Sequence, residues 1–218
     1  TRTVAGALGG SVNKDMNYRV AAQSHTSDGY ITNDFLKRSD TDNIDELSLR
    51  AIFDWQASED LDLKLTMFRV DADNGYDGFS LDNTRKTMSD KPGHDRQESS
   101  AFALQSNWQV NEQFDLLSLI SFADSDLEYG YDEDWSHTGI CDGTACDSDI
   151  WGFDWWYSST DNYIRNNENT TLDIRLVSDN GADETSWVAG IYYRDQDQAL
   201  LREYTYSSIG DFASDYDT

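Results

Sequence analysis

The chain has 218 residues and carries 42 acidic residues against 16 basic ones, a formal net charge of -26 at pH 7. That charge argues against nucleic-acid binding, because the electrostatic term that dominates such binding is repulsive here. With seven Trp and twelve Tyr, the chain also has too many large apolar side chains for an acidic disordered segment. The sequence therefore describes a folded protein whose partner is not a nucleic acid.

Apolar and polar side chains alternate along the chain with the period of a β-strand, and helical periodicity is nearly absent. In DELSLRAIFDW, Leu47, Leu49 and Phe53 share one face while Ser48 and Arg50 lie on the other. Other segments show the same alternation, which predicts about eight strands. In chain order the predicted strands are VAGALGGSV, MNYRVAAQSH, DELSLRAIFDW, LDLKLTMFRV, ESSAFALQSNWQV, FDLLSLISFADSDLEY, ENTTLDIRLVS and TSWVAGIYYRDQDQ.

The connections between these strands alternate between short and long. Short polar turns at 13–15, 57–60, 111–113 and 179–184 alternate with long connections at 26–43, 71–97 and 130–167. Outer-membrane barrels have this arrangement, with short periplasmic turns, long extracellular loops and strands of about ten residues. The pattern predicts a single all-β domain over residues 1–218, an antiparallel up-and-down transmembrane β-barrel.

Two other architectures fit the same alternation. A soluble β-sandwich also combines an apolar and a wet strand face, and a closed eight-stranded barrel has the strand number of the smallest outer-membrane proteins. Nothing in the architecture of a sandwich, however, requires every long loop to lie at the same end of the sheet. The loops are also long for a small barrel, so a larger barrel is the preferred interpretation.

A family resemblance rests on the run YRVAAQSHTSDGYITNDFLKRSDTDNIDELSLRAIFDWQASEDLDLKL. It contains an Arg-bearing strand, a DGY loop followed by RSDTD, and a strand with the pattern R..F.W before a short turn. In these features the chain resembles the early barrel strands of TonB-dependent outer-membrane receptors. The loop DNGYDGFSLDNTRKTMSDKPG and the motif YDEDW resemble external loops of one branch of that family. The resemblance covers nearly the whole chain, as a collective pattern.

The resemblance implies a transporter in the outer membrane of a Gram-negative bacterium that takes up a scarce solute: a ferric siderophore, a cobalamin or an oligosaccharide. Its partners are then outer-membrane lipid and lipopolysaccharide, the solute, and TonB, which acts through a plug domain that this chain does not contain. Such receptors have about 22 strands, so we expect the chain to be a fragment of a larger barrel. The alternative function is a secreted acidic β-sheet protein that binds a glycan or calcium.

The two cysteines, Cys141 and Cys146, occur in CDGTAC within the longest predicted loop. A local disulfide is the prediction, and it places this loop in an oxidising compartment. A metal site that includes His137 and a pair of free thiols are the alternatives.

The acidic segment DADNGYDG invites a calcium interpretation. It fails as an EF-hand loop, because Gly75 and Thr84 stand where an oxygen ligand and a bidentate Glu are required. Irregular calcium coordination by Asp71, Asp73 and Asp77 is an alternative to the simpler view that these acids solvate a long loop. No other cofactor is expected.

Aromatic side chains are concentrated in the longest predicted loop, where they have no core to join. An aromatic girdle at the membrane interface or packing of the loop on itself is the simpler expectation, and contact with a ligand is the alternative. The candidate ligand-binding residues are Tyr129, Tyr131, Trp135, Trp151, Phe153, Trp155, Trp156 and Tyr157. The sequence has no GxSxG, P-loop or HExxH motif and does not predict an enzyme.

Overall fold

The computed structural model describes residues 1–137, 139–140, 157–178, 185–208 and 213–217, without the side chains of 157, 207–208 and 213–217. In this part of the chain the fold is all-β, with nine strands in one sheet and two short strands in a parallel pair. The main sheet contains β1 (Arg2–Asn13), β2 (Met16–Ser27), β4 (Ile44–Ser58), β5 (Leu61–Tyr76), β7 (Gly93–Asn111), β8 (Phe114–Asp132), β9 (Tyr157–Ser178), β10 (Val188–Ser208) and β11 (Ala213–Asp217), and the pair is β3 (Thr32–Asn33) with β6 (Lys86–Thr87). No helix within the described ranges has the length and apolarity to cross a bilayer.

The main sheet is an up-and-down antiparallel meander. Each strand pairs with its neighbours along the chain, in the order β1-β2-β4-β5-β7-β8-β9-β10-β11. All eight predicted strands are confirmed, and β11 is an additional short strand. No ladder joins β1 to β10 or β11 among the described residues, so the sheet stays open, as expected for a segment of a larger barrel. The alternative of a closed eight-stranded barrel does not match this topology.

Five strands extend into ranges that the sequence predicted as loops, and three of them do so by five residues or more. β5 continues to Tyr76, β7 begins at Gly93, and β9 begins at Tyr157. The ladder between β5 and β7 runs without interruption as far as the pair Tyr76 and Gly93. These extensions are mostly polar and lack the regular apolar alternation that reveals strands, yet backbone pairing continues along them.

One face of the sheet carries a continuous belt of apolar side chains. Directly paired residues of antiparallel strands share a face, and the register therefore aligns residues across seven strands. One such row consists of Tyr18, Phe53, Leu65, Leu104, Ile120, Leu172 and Tyr193. Leu104 is 40% exposed, and Ile31 is the only buried hydrophobic residue in the described part of the chain. The belt is thus an uncovered outer face, whereas a soluble sandwich would bury it in a core.

The opposite face, here called the inner face, is polar. Its rows place charged and amide side chains at the level of the belt, among them Asp54, Lys64 and Gln105. These three residues also line a cleft of about 470 Å³ on this side of the sheet. A water-filled or protein-filled lumen accounts for such a face, because lumen-facing and lipid-facing residues alternate along every strand of an outer-membrane barrel.

The strands continue well past the belt toward the long connections. On β8 the belt ends at Phe122, and Asp124 and Asp126 occupy the same face beyond it. A transmembrane strand needs only about 9–11 residues, whereas β8 has 19 and β9 has 22. The ends of these strands near Asp132 and Tyr157, together with the long connections, therefore lie beyond the length that a bilayer would cover.

Gly93 allows β7 and β8 to approach closely at this end of the sheet. A Cβ at Gly93 would lie 2.1 Å from the carbonyl oxygen of Gly130, a backbone atom that cannot rotate away. We expect Gly93→Ala to destabilise the folded protein by about 1–2 kcal/mol. The control is Gly78→Ala, since no atom lies within 4 Å of a Cβ at that position. Urea unfolding of both variants in detergent tests this, and equal unfolding midpoints would contradict it.

Candidate functional site

Four tyrosines gather on the inner face beyond the belt. Tyr76 comes from β5, Tyr129 and Tyr131 from β8, and Tyr163 from β9. The register pairs Tyr129 directly with Tyr163, which brings their ring centroids to 6.3 Å. The rings of Tyr76 and Tyr129 meet edge to face at 4.8 Å, a favourable arrangement for aromatic pairs.

Two aromatic rings from the connections complete this group. Phe79 and Trp135 stack with centroids 5.2 Å apart and an interplanar angle of 11°, and Phe79 also lies 5.7 Å from the ring of Tyr76. We call the six residues Tyr76, Phe79, Tyr129, Tyr131, Trp135 and Tyr163 the aromatic cluster. Phe79 and Trp135 remain 37% and 38% exposed, so the cluster presents ring surface to solvent rather than closing into a core.

The backbone at Trp135 is strained. Its φ of 57° lies in the left-handed region, which bulky side chains seldom adopt. Such a conformation persists only where the surroundings hold it, and it occurs preferentially at binding and switch sites. The buried neighbours Asp134 and Ser136 on either side anchor the segment and leave the indole of Trp135 directed at Phe79.

A buried ion pair supports one edge of the aromatic cluster. The carboxylate of Asp161, 2% exposed, accepts hydrogen bonds from Arg202 Nε at 2.8 Å and Nη2 at 2.7 Å. It also accepts one from the Tyr163 hydroxyl at 2.9 Å and a longer one from Tyr131 at 3.3 Å. The bonds from Arg202 hold the pKa of Asp161 below its ordinary value, so the carboxylate stays charged and orients both phenols.

Tyr129 and Tyr131 of the cluster stay protonated. Burial raises the pKa of Tyr129 well above the ordinary value for a phenol, and the neighbouring Tyr76 adds to this. Burial also raises the pKa of Tyr131, with a further contribution from the charge of Asp161. These side chains therefore act as hydrogen-bonding aromatic surfaces and not as phenolate ligands of a metal.

Buried polar side chains join the first two long connections, 28–43 and 77–92. Asn33 Nδ2 donates to Asp77 Oδ2 and to the carbonyl oxygen of Ser89, each at 2.8 Å. The Thr87 hydroxyl donates to the same Asp77 oxygen at 2.8 Å. Asn33, Thr87 and Ser89 are fully buried. Hydrogen bonds between buried polar groups require a defined geometry. These contacts therefore favour one arrangement of the two connections.

The third long connection, which begins at Glu133, docks on both of the others. Just before it, at the end of β8, Asp132 Oδ2 accepts a hydrogen bond from the Ser89 hydroxyl at 2.5 Å; within it, the Ser136 carbonyl oxygen accepts one from the Asp90 N–H at 3.0 Å. The rings of Phe35 and His137 stack at 4.1 Å. The aromatic cluster is therefore surrounded by three connections that hold one another in place.

Of the predicted ligand-binding residues, Tyr129, Tyr131 and Trp135 come together in the aromatic cluster. Outside the described residues lie Trp151, Phe153, Trp155 and Trp156, the side chain of Tyr157, and both Cys141 and Cys146. The disulfide therefore stays a prediction. Sequence reasoning missed Tyr76, Phe79 and Tyr163.

The three calcium candidates have different surroundings. Asp77 is buried against Asn33 and Thr87, and Asp73 accepts a hydrogen bond from Arg96 Nε at 2.7 Å on the outer face. Asp71 lies two residues before Asp73 on that same face, opposite Glu98. Within the described ranges no group of three or more His, Cys, Asp or Glu side chains is arranged to hold a metal ion.

Comparison with known proteins identifies the fold. No protein-family model and no curated protein matches the chain. Among solved structures, the ferric yersiniabactin uptake receptor FyuA of Yersinia pestis matches with a TM-score of 0.70 and 11% identity, over 93% of this chain and 29% of the receptor. The outer membrane transporter YddB of Escherichia coli matches with a TM-score of 0.36 and 11% identity, over 94% of this chain and 33% of the transporter. The chain thus spans less than a third of the length of the receptor, and it has the fold of a segment of an outer-membrane transporter barrel.

Proposed function

We propose that the chain forms part of the barrel of a TonB-dependent outer-membrane receptor that takes up a scarce solute, and that the aromatic cluster contacts this solute. The observation that carries the proposal is the position of the cluster, on the inner face of an outer-membrane-type sheet and beyond its apolar belt. A solute that enters the lumen from outside must pass this level. The exposed apolar belt argues against the alternative of a secreted β-sheet protein.

The chemistry of the cluster suits a solute with a flat or ring-shaped face. Phe79 and Trp135 supply exposed aromatic surface, and the phenols of Tyr129 and Tyr131 supply polar atoms at its edge. Ferric siderophores, cobalamins and oligosaccharides all offer rings with polar groups at their rims. We extend the proposed site to the aromatic residues that follow in the third connection, which are Trp151, Phe153, Trp155, Trp156 and Tyr157.

The remaining parts of the proposal follow from the family resemblance. The native protein lies in the outer membrane of a Gram-negative bacterium, in contact with lipid and lipopolysaccharide. A plug domain fills the polar inner face and couples it to TonB. A disulfide between Cys141 and Cys146 closes the third connection.

The test is binding followed by uptake. The native protein in detergent is screened against ferric siderophores, cobalamin and oligosaccharides, and the solute that binds is then supplied to cells with and without TonB. We expect uptake only in cells that contain TonB. Trp135→Ala should weaken binding about tenfold, as for an aromatic residue at the centre of an interface. The control is Tyr30→Ala, an exposed aromatic at the same end of the sheet.

Two results would contradict the proposal. Uptake at the same rate in cells that lack TonB would remove the energy source that defines this class of receptor. Unchanged affinity in a Phe79→Ala/Trp135→Ala double variant would show that the aromatic cluster does not contact the solute.

A further inference from the structure

The segment that carries Trp135 is anchored by buried acids. Exposure alternates along it, so that Asp132, Asp134 and Ser136 are buried while Glu133 and Trp135 face outward. Asp132 is 5% exposed and Asp134 1%. The two carboxyl groups therefore lie beneath the backbone that presents Trp135 to Phe79. Their state of charge affects how stably that backbone segment is held in place.

The hydrogen bonds of the two acids differ. Asp134 is fully engaged, since Oδ1 accepts from the Ser159 N–H and Oδ2 from the Ser136 hydroxyl, each at 2.9 Å. Asp132 Oδ2 accepts from the Ser89 hydroxyl, but its buried Oδ1 has no hydrogen-bond partner among the described residues. A buried carboxylate oxygen without a donor is costly, whereas a protonated carboxyl can donate to a neighbouring carboxylate.

The charged groups around the pair do not neutralise it. The 77–92 connection contributes Asp90, a third carboxyl group, with Lys91 next to it, and the pair's own segment contributes Glu133 and His137. Lys91 and His137 act on Asp90. β9 adds no charge here, because the residue opposite Asp132 is Thr160. Two adjacent carboxylates in a low-dielectric site do not both ionise, so one of them holds a proton.

We propose that a proton shared between Asp132 and Asp134 locks the Trp135 segment in place, so that assembly of the aromatic cluster is linked to proton uptake. A proton suits this pair better than a divalent cation, because the described residues bring no three metal-ligating side chains together. The consequence for solute capture rests on the proposed function, whereas the lock itself does not.

The direction of the pH effect follows from the two states of the segment. Burial, followed by the hydrogen bond that a protonated Asp132 can donate to Asp134, raises the pKa of Asp132 from an ordinary 3.8 to about 8 in the docked segment. Below the ordinary value both docked and released segments hold the proton. Between pH 3.8 and about pH 8 only the docked segment holds the proton, so the equilibrium constant for docking falls about tenfold for each pH unit. Above about pH 8 the docked segment also loses the proton, and the weakening stops.

The experiment follows the indole of Trp135. The native protein is labelled with 5-fluorotryptophan, the Trp135 resonance is assigned with Trp135→Phe, and its ¹⁹F shift is recorded from about pH 5 to about pH 10. We expect a midpoint near pH 8 in the wild type and in the control Asp60→Asn, which changes an acid in the turn between β4 and β5 at the opposite end of the sheet. Asp132→Asn should remove the midpoint, because its amide accepts from Ser89 and donates to Asp134 at every pH. Asp134→Asn should lower the midpoint, which gives a second test if the first variant does not assemble.

Three outcomes would overturn the lock. A Trp135 resonance that does not titrate shows that no proton is held beneath it. A midpoint that persists in Asp132→Asn assigns the titration to another group. A shift on addition of calcium that Asp132→Asn abolishes would assign the pair to a cation in place of a proton. Failure of TonB-dependent uptake, by contrast, would leave the midpoint unchanged.

Discussion

Replacement of Leu104 by arginine is expected to cause the largest loss of stability among the single substitutions considered for this protein. Leu104 lies in the apolar belt, between Leu65 and Ile120 on the neighbouring strands. An arginine on the lipid face near the midplane of an outer-membrane barrel costs about 2–4 kcal/mol. The free energy of unfolding, measured by urea titration of the native protein in phospholipid vesicles, should fall by that amount.

The adjacent residue supplies the matched control. Gln105 points to the inner face, where it pairs with Lys64 and Leu119. Gln105→Arg therefore places the same charge one residue away in a polar environment, and we expect a change of about 0.5 kcal/mol or less. If both variants lose the same stability, or if the wild type folds and stays soluble without detergent or lipid, the belt does not face a membrane.

The strands were predictable because a single physical rule governs them. A sheet with lipid on one side and a polar lumen on the other must alternate apolar and polar residues. Leu47, Leu49 and Phe53 show that alternation without reference to any distant part of the chain. The alternation of apolar and polar residues ends where the apolar belt ends. Beyond Phe122 both faces are wet, so the strand extensions to Tyr76 and from Tyr157 carry no apolar pattern.

The candidate site was predictable only in part for the same reason. Tyr129 and Tyr131 could be proposed because they occur close together beside a predicted loop rich in aromatic residues. Tyr163 could not, because its range was assigned to that loop, and its place beside Tyr129 depends on the register of β8 and β9. The burial of Asp77 likewise depends on Asn33, a residue 44 positions away, and composition offers no signal of such a contact.

Removal of the guanidinium of Arg202 is expected to disrupt the edge of the aromatic cluster. Arg202→Ala leaves Asp161 buried and charged, with the hydroxyls of Tyr131 and Tyr163 as its remaining side-chain partners. Loss of the partner of a buried carboxylate destabilises a protein strongly, and the 46% exposure of the Arg202 side chain reduces that loss. The fall should appear as lost hydrogen-exchange protection where β9 and β10 pair beside the cluster.

The pH dependence of this loss distinguishes an ion pair from simple packing. Because the folded-state pKa of Asp161 lies below the ordinary 3.8, the pair stabilises the protein above that pH and loses its effect as the pH falls through the lowered value. The difference between wild type and Arg202→Ala should therefore be largest at pH 7 and shrink below about pH 4. Arg202→Lys should be intermediate, since an ammonium group cannot donate the paired bonds of a guanidinium.

A double variant completes the cycle. Asp161→Asn combined with Arg202→Ala should recover part of the stability, because no uncompensated charge then remains buried. If Arg202→Ala loses the same stability at pH 3 as at pH 7, the side chain contributes through packing on Tyr163 and Tyr204, over whose rings its guanidinium carbon lies at 5.2 and 5.8 Å. In that case the orientation of the Tyr131 and Tyr163 phenols would not depend on the charge of Asp161.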